Sequence, residues 1–258
     1  MAGNWKMNMT APEAEGAVEG FITAVDMKDN VDIVVCPSYL SIPSVRALTK
    51  GTEVRLGAQD VFWMSNGAFT GKVSASMLKS AGCDYCLVGH SETRGRFGKM
   101  EVPSETISHF GESDRTVNLK IGALIEQAIC PILCVGETQS ERDASMTDAV
   151  ITSQLERALD GHDPDELEGL VVAYEPVWAI GTGNVCDSQE AERVCGMVRT
   201  ILGEIVGQGQ ATRLRVLYGG SVKATNAKEL FAQPNIDGGL VGGASLDPKE
   251  FAAIVCSV

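Results

Sequence analysis

Short hydrophobic runs, rich in β-branched residues, alternate along this chain with amphipathic segments. The runs are apolar nearly throughout, which is typical of strands covered on both faces of a parallel sheet. We predict strands at 31–36, 54–59, 85–89, 131–135, 170–174, 214–218 and 236–241. A truncated first strand at 3–6 would complete the eight strands of a closed α/β barrel.

Between these runs, apolar residues recur with the period of a helix. The predicted helices are 11–27, 113–127, 143–159 and 188–206, with Asp114 and Ser188 as candidate N-caps. Strand–helix alternation without a change in composition predicts a single (β/α)8 barrel domain over residues 1–258. One segment, 95–110, is polar, contains Gly and Pro and lacks a period, so we predict a long surface loop there.

Composition narrows the possible partners and compartment. The chain has 258 residues and a formal net charge of −13, which argues against nucleic acid because phosphate backbones are held mainly by clustered Lys and Arg. No apolar run approaches the ~18 residues of a membrane-spanning helix. No secretory leader precedes the first strand, so we expect a cytoplasmic protein that does not bind a membrane.

The eight cysteines do not suggest a disulfide framework in a chain of this length. Cys83 and Cys86 form a C-x-x-C, but no second pair stands at the spacing of a metal site. We therefore expect reduced thiols, many of them packed as small hydrophobic residues, and no metal.

Polar residues and glycines cluster where the predicted strands end, which is the edge at which barrels of this class build their active sites. Asn4 and Lys6 end the first strand, and alternation with a period of two would place both on the inward face. His90 follows the fourth strand and Glu175 the sixth. Glycine-rich turns follow the seventh and eighth strands, at 219–221 and 242–243.

Several of these strand ends carry longer motifs, which occur in a fixed order over almost the whole chain. They are GNWKMN (3–8), GHSE (89–92), CVGET (134–138), AYEPVWAIGTG (173–183), YGGSV (218–222) and LVGGASL (240–246). Their sequence and order resemble the triosephosphate isomerase family, which is itself a standard example of pKa tuning by environment.

The resemblance implies an enzyme that interconverts dihydroxyacetone phosphate and D-glyceraldehyde 3-phosphate through an enediolate. Glu175 would be the base, made more basic by desolvation, and a neutral His90 would polarise the substrate carbonyl. Lys6 would supply positive charge and Asn4 a neutral donor beside the developing oxyanion. Glu92 would orient Lys6, or serve only as a structural ion-pair partner.

The resemblance also implies a phosphate site, a lid and no cofactor or metal. Backbone N–H groups at Gly181, Ser221, Gly242 and Gly243 would bind the phosphate. The lid would lie at 176–186 and exclude water from the enediolate, with Tyr218 and Ser221 latching it when closed. Its implied functional residues are Pro176, Val177, Trp178, Ile180 and Gly183.

The chain departs from the family pattern in three places. The first strand is short, Thr93 and Lys72 stand where Arg and Glu are usual, and the segment at about 95–110 is inserted. The family implies a homodimer in which the loop 66–72, with Thr70 at its tip, enters the site of a second copy. The inserted segment is a candidate source of replacement contacts through Phe97, Met100 or Phe110.

Two other functions remain open at the level of sequence. A phosphate-binding aldolase would use an inner lysine as a Schiff-base nucleophile, and Lys6 is the candidate. A non-catalytic barrel could use the surface of the 95–110 segment to bind a partner. The complete set of site residues favours the isomerase over both.

Overall fold

The parallel barrel predicted from the hydrophobic runs is present in the computed structural model, which describes residues 1–25, 31–99 and 102–258. Within these ranges, eight strands pair in parallel in chain order and close on themselves. They are β1 (Ala2–Asn4), β2 (Ile33–Cys36), β3 (Val54–Ala58), β4 (Tyr85–Val88), β5 (Cys130–Val135), β6 (Val171–Tyr174), β7 (Arg215–Tyr218) and β8 (Gly238–Val241). The predicted (β/α)8 class is confirmed, and each predicted strand boundary lies within two residues of the observed one.

Strand β1 is short, but it pairs on both sides and so closes the barrel. Ala2 lies opposite Leu240 of β8, and Asn4 lies opposite Cys36 of β2. Because all strands run in one direction, their carboxyl ends meet at one rim. The residues that follow the strands are therefore brought together however far apart they lie in the chain.

Two hydrophobic clusters stabilise this arrangement. Inside the barrel, inward-facing side chains such as Val34, Leu87, Ile132 and Leu217 pack against one another. A larger cluster fills the space between the strands and the surrounding helices. The strands are buried on both faces, which explains why they appear as nearly continuous apolar runs in the sequence.

The helices surround the barrel. In the described residues they are α1 (Ala11–Ala24), α2 (Ile42–Thr49), α3 (Ala75–Ser80), α4 (Asp114–Glu126), α5 (Gln139–Asp143), α6 (Thr147–Leu159), α7 (Ser188–Val206), α8 (Gln208–Ala211), α9 (Ala224–Phe231) and α10 (Pro248–Val255). None of them is long and apolar enough to cross a membrane. The prediction missed α2, α3, α8, α9 and α10, because helices of one or two turns show too little of the 3.6-residue period.

Two predicted helices need correction. The prediction of one helix over 143–159 is wrong at its start: α5 ends at Asp143, and Ser145 adopts a left-handed backbone angle (φ 57°) before α6 begins. Helix α1 ends at Ala24, three residues short of the predicted end. Met27, where that prediction ended, lies outside the described residues.

Both predicted N-caps are also wrong, by one residue. The Ser113 hydroxyl accepts the Thr116 N–H (3.2 Å), and the Asp187 carboxylate accepts the Glu190 N–H (2.7 Å). Asp114 and Ser188 are instead the first residues of α4 and α7. In both places two neighbouring residues are capable caps, so only the position at which the backbone enters the helix selects between them.

The inserted segment is more ordered than a surface loop. Residues Ser104–Phe110 form a 3-10 helix, so the prediction of an irregular loop throughout 95–110 is wrong there. Phe97 packs edge-on against Phe110, with ring centroids 5.0 Å apart. This contact joins the two ends of the insertion, for which the polar composition predicted a surface loop.

The cap correction can be tested by unfolding. We expect Asp187→Ala to lower the free energy of unfolding by about 1 kcal/mol, because the Glu190 N–H loses its acceptor. Ser188→Ala removes only an exposed hydrogen bond to Glu229, so its effect should stay within about 0.5 kcal/mol. Urea unfolding followed by circular dichroism measures both, and equal effects would contradict the assignment.

Candidate active site

Asn4 and Lys6 reach the rim of the barrel through a turn. Strand β1 ends at Asn4, and Lys6 adopts a left-handed backbone (φ 52°) with its N–H donated to Asn4 Oδ1 at 3.1 Å. The prediction that strand alternation places Lys6 inward is therefore wrong, because the strand has already ended. Lys6 instead reaches the site through a turn that the Asn4 side chain closes. Gln59 Nε2 supports this turn by donating to the Lys6 carbonyl at 2.8 Å.

The Lys6 ammonium forms an ion pair with Glu92. Lys6 Nζ lies 2.7 Å from Glu92 Oε1, and both side chains are partly exposed. The pair keeps the ammonium beside His90, because Glu92 comes from the turn that follows β4 and is bound to the His90 ring through its own backbone N–H. Glu92 thus contacts Lys6, which the sequence suggested it orients, and also His90.

His90 is held in one orientation by the turn that it begins. The Arg94 N–H donates to the His90 carbonyl (3.1 Å), and the Glu92 N–H donates to Nδ1 (3.1 Å). Since Nδ1 is an acceptor, the ring proton is assigned to Nε2, which lies 2.8 Å from Glu175 Oε1. The imidazole therefore presents an N–H donor to the interior of the site.

Glu175 follows β6 directly, and its side chain is 2% exposed. One carboxylate oxygen bonds to His90, and the other accepts the Ser91 N–H at 3.0 Å. A buried carboxylate is costly unless it is hydrogen-bonded. Here the turn after β4 supplies both partners, so two strand ends that are distant in sequence depend on each other.

This pairing sets the ionisation of both groups. Burial lowers the pKa of His90, but the adjacent Glu175 carboxylate outweighs it, and the net pKa is raised. Burial raises the pKa of Glu175, but His90 and the Ser91 N–H outweigh it, and the net pKa is lowered. The desolvation expected to make Glu175 more basic acts in that direction, but in this arrangement the contact with His90 outweighs it.

Glycines let the backbone close tightly around Glu175. A Cβ at Gly136 would overlap the Glu175 carbonyl oxygen, and one at Gly219 would lie 3.0 Å from Glu175 Cγ. The backbone bonds Glu175 N–H to Val135 O (2.7 Å) and Gly219 N–H to Tyr174 O (2.7 Å) continue the sheet beyond its strands. The position of the carboxylate is thus set by backbone contacts on both sides.

A cavity of about 310 Å³ lies at this rim. Catalytic candidates from β1, β4 and β6 line one part of it, and the glycine-rich turns after β7 and β8 line another. The lining residues are Asn4, Lys6, His90, Glu175, Ile180, Gly181, Gly219, Gly220, Ser221, Val222, Lys223, Leu240, Gly242, Gly243 and Ala244. The volume accommodates a small molecule with an anionic end.

The two parts of the cavity are close to each other. A Cβ at Gly242 would lie 3.6 Å from Lys6 Cε, whereas nothing lies within 4 Å of one at Gly243. Gly243 begins a 3-10 helix that runs to Leu246. Unobstructed N–H groups at such a turn suit an anion, and Lys223 adds a basic side chain that the sequence analysis did not consider.

The base of the lid is tied down by residues that sequence reasoning missed. Val177–Ala179 form a 3-10 helix, and Trp178 Nε1 donates to Glu137 at 2.8 Å. The buried Glu137 carboxylate also accepts the Tyr174 hydroxyl (3.2 Å), and the Arg142 guanidinium stacks 4.0 Å from the Trp178 ring. The signal for Glu137 was its place in the CVGET motif, where no role had been assigned.

The rest of the lid is exposed, apart from its far end. Gly181 and Gly183 both have positive φ, at 67° and 88°. The Tyr218 hydroxyl is buried next to the Cys186 thiol, at the far end of the lid. Of the predicted lid and latch residues, Ile180 and Gly181 line the cavity directly. The others are not among its lining residues: Pro176, Val177, Trp178, Gly183 and Tyr218.

Thr93, which departs from the family pattern, supports the His90 turn. Its hydroxyl contacts the His90 carbonyl (2.7 Å) and the Glu112 carboxylate. Glu112 also accepts the Gly89 N–H at 3.1 Å and forms an ion pair with the buried Lys120. Thr93 is therefore part of a polar network that holds the turn at His90. Lys72 lies 5.8 Å above the Phe62 ring.

Comparison with known proteins gives a consistent result. The chain matches the family model described as triosephosphate isomerase over residues 1–258. It is 45% identical to the triosephosphate isomerase of Symbiobacterium thermophilum, over 98% of this chain and 94% of that protein. It is 43% identical to that of Roseiflexus sp. (strain RS-1), over 99% and 95%, and 45% identical to that of Moorella thermoacetica, over 99% and 96%.

The ionisation of the pair can be tested directly. In the unliganded protein we expect the pKa of His90 to lie above its ordinary value of about 6.5. Glu175→Gln should lower that pKa below the ordinary value, because burial and the Glu92 N–H then act without the carboxylate. Nitrogen-detected NMR of the imidazole measures the change, with the His162 ring, which contacts the Asn118 carbonyl, as the internal reference. An unchanged His90 titration would contradict the pairing.

Proposed function

The chain belongs to the triosephosphate isomerase family, and we propose that Glu175 and His90 carry out the family's reaction at the cavity described above. The reaction interconverts dihydroxyacetone phosphate and D-glyceraldehyde 3-phosphate. The observation that carries the assignment is the contact between Glu175 Oε1 and His90 Nε2, 2.8 Å apart, at a cavity whose other part is lined by glycine turns. A base and a hydrogen-bond donor are thereby aimed at the same small space.

In the proposed mechanism the substrate separates this pair. Its carbonyl oxygen takes the Nε2–H of His90 as a hydrogen bond, and the freed Glu175 carboxylate turns to the adjacent C–H group. The C–H proton passes to Glu175, the C–H electron pair forms the new C=C bond, and the carbonyl π pair moves to oxygen. A proton then moves from the hydroxyl oxygen on the first carbon to the oxygen on the second, with His90 Nε2 giving one proton and taking back the other. Glu175 returns its proton to the second carbon: the C=C pair forms the new C–H bond, the oxygen pair on the first carbon forms the new C=O bond, and the base is regenerated without any added reactant.

Separation of the pair also sets the charge state that this chemistry requires. Once Glu175 has turned to the substrate, burial and the Glu92 N–H at Nδ1 favour a neutral imidazole. Lys6 supplies positive charge near the enediolate oxygens, and Asn4 supplies a neutral donor. Glu92 acts through Lys6, as a positioning residue.

We propose that the phosphate binds at the glycine-rich part of the cavity. Gly242, Gly243 and Ser221 line this part, and Gly181 of the lid would add a further N–H on closure. Closure would exclude water from the enediolate, which could otherwise eliminate its phosphate. Tyr218 and Ser221 would then latch the lid, and the position of the Tyr218 hydroxyl beside Cys186, the last residue of the lid, supports that role.

The Lys6–Glu92 ion pair disfavours the aldolase alternative. A Schiff-base lysine must present its amine to the substrate carbonyl, whereas Lys6 Nζ is held in an ion pair with Glu92 Oε1 at 2.7 Å. Cys36, Cys83, Cys86, Cys134, Cys186 and Cys195 are buried as free thiols, which supports a reducing compartment, so we propose a cytoplasmic location.

We further propose a homodimer built on the loop 66–72. This loop exposes Phe69 (40%) and Thr70, and nearby Met64 is 43% exposed. A groove of about 520 Å³ lies next to it, lined by residues that include Phe62, Lys72 and Phe110. Exposed apolar groups beside a groove on one face suit a two-fold contact in which each copy gives and receives the same loop.

The inserted segment contributes to this groove at one end. Phe110 lines it, and Phe97 packs behind Phe110. Met100, the third candidate for a replacement contact, lies outside the described residues.

The catalytic assignment predicts the effect of shortening the base. Glu175→Asp should retain the fold but lower kcat on the order of a hundredfold, because the carboxylate retracts by about 1 Å. A coupled assay with D-glyceraldehyde 3-phosphate, without added metal or cofactor, measures the rate. Glu53→Asp, on the exposed surface, is the matched control and should keep full activity. A Glu175→Asp rate equal to the wild type would show that another group is the base.

The dimer predicts a concentration-dependent mass. Sedimentation should give twice the 27.3 kDa chain mass for the wild type. Thr70→Arg should give the single-chain mass, because a large charged side chain at the loop tip would not fit a second copy's groove. Thr212→Arg, an exposed threonine after α8, should remain a dimer. A wild-type chain that stays monomeric at high concentration would refute the proposal.

A further inference from the structure

The first part of the inserted segment, residues 95–99, lies directly against the lid. A Cβ added at Gly98 would lie 2.6 Å from the Val177 carbonyl oxygen, 3.0 Å from Thr182 Cγ2, and closer still to the Ile180 carbonyl oxygen. The two carbonyl oxygens are backbone atoms of the lid, which cannot move aside as a flexible side chain can. Gly98 itself has no positive φ, so the position requires a glycine for space and not for backbone conformation.

The segment is anchored to the barrel beside this contact. The Arg96 N–H donates to the Ser91 carbonyl at 2.8 Å, and Arg96 Nη2 donates to the Gly136 carbonyl at 3.2 Å. The Arg96 guanidinium also forms an ion pair with Glu141. Together with the Phe97–Phe110 contact, these bonds connect Gly98 to the rims of β4 and β5. The segment therefore presses on the lid from a supported position.

The tip of the lid lies between a base that Glu137 holds and a far end at which Cys186 lies beside Tyr218. This tip makes hydrogen bonds within itself, such as Thr182 Oγ1 to the Trp178 carbonyl at 2.7 Å. Gly181 and Val185 are exposed, and the cavity behind Ile180 is open enough to hold a ligand. The lid as seen here thus rests on Gly98.

We propose that residues 95–99 form a brace that holds the lid in this open position, with Gly98 and Arg96 as positioning residues for the lid. The lid is taken to have two positions, the open one seen here and a closed one over a bound phosphate. The closed position comes from the proposed function, and the proposal rests on that function in this respect only. Closure moves the Val177–Thr182 backbone toward the β7 turn and away from Gly98. The brace therefore stabilises the open lid alone, and its strength sets how readily the lid closes.

Weakening the brace has a definite kinetic consequence. It raises the free energy of the open, unliganded protein and leaves the closed complexes unchanged, so the closed population rises. Substrate and a transition-state mimic then bind more tightly by one common factor. Since the bound ground state and the transition state are both closed, kcat should stay the same. A general structural defect would instead lower kcat or weaken binding.

The test substitutes Gly98→Ala, with Gly169→Ala as the matched control. Nothing lies within 4 Å of a Cβ at Gly169, which also has no positive φ. For Gly98→Ala we expect the KM and the dissociation constant of 2-phosphoglycolate to fall together, by about fivefold, the scale expected for moderate overpacking. The kcat should remain within about twofold of the wild type. The control should match the wild type in all three.

A second variant and a second readout separate this proposal from the proposed function. Arg96→Met removes the anchor without adding bulk, and it should shift KM and the mimic's dissociation constant in the same direction as Gly98→Ala. Hydrogen exchange at the Ile180 amide, which donates to Val177 O at 3.1 Å, should be faster in both variants without any ligand. An inactive wild type would refute the proposed function, whereas the exchange measurement would still test the brace. Unchanged exchange, or weaker binding of the mimic in Gly98→Ala, would overturn the brace.

Discussion

The site is organised around the burial of one carboxylate, that of Glu175. A carboxylate with 2% of its side chain exposed must find hydrogen-bond donors inside the protein, and it finds them at His90 Nε2 and the Ser91 N–H. Both donors come from the turn after β4. Their orientation depends on the Glu92 N–H at His90 Nδ1 and on the Glu112 network beneath Gly89. The requirement to satisfy one buried charge thus specifies the turn, the imidazole tautomer and the buried partners behind it.

In this arrangement Glu175 and His90 satisfy each other's hydrogen-bonding groups, which bears on how a substrate can bind. The proposed base, Glu175, and the proposed electrophile, His90, occupy each other until a ligand intervenes, because each is the other's hydrogen-bond partner. A substrate must replace both halves of that bond, and binding energy from a remote phosphate is suited to drive such an exchange. The glycine turns after β7 and β8 line the same cavity as the pair, so the proposed phosphate attachment and the proposed chemistry share one small volume.

Close approach of backbone to backbone recurs wherever the site meets its surroundings. Gly136 meets the Glu175 carbonyl, Gly219 meets Glu175 Cγ, and Gly98 meets the lid. The first two position the catalytic carboxylate within the barrel. The third is a close contact of the same kind, and it connects the inserted segment to the lid. Arg96 links these contacts, because it binds the Gly136 carbonyl while it supports Gly98.

The order of strands, the barrel class and the residues at the strand ends could be predicted from sequence, because both-face burial produces apolar runs and parallel strands share one rim. The resemblance of the motifs to the family likewise indicated Glu175 and His90 as candidate catalytic residues. Sequence did not decide that these two side chains bond to each other, or that this bond would lower the pKa of the base. It also did not decide between Asp187 and Ser188 as a cap, or reveal that Gly98 touches the lid. Each of these depends on the distance between atoms from different segments, which local periodicity does not encode, so only the folded barrel determined them.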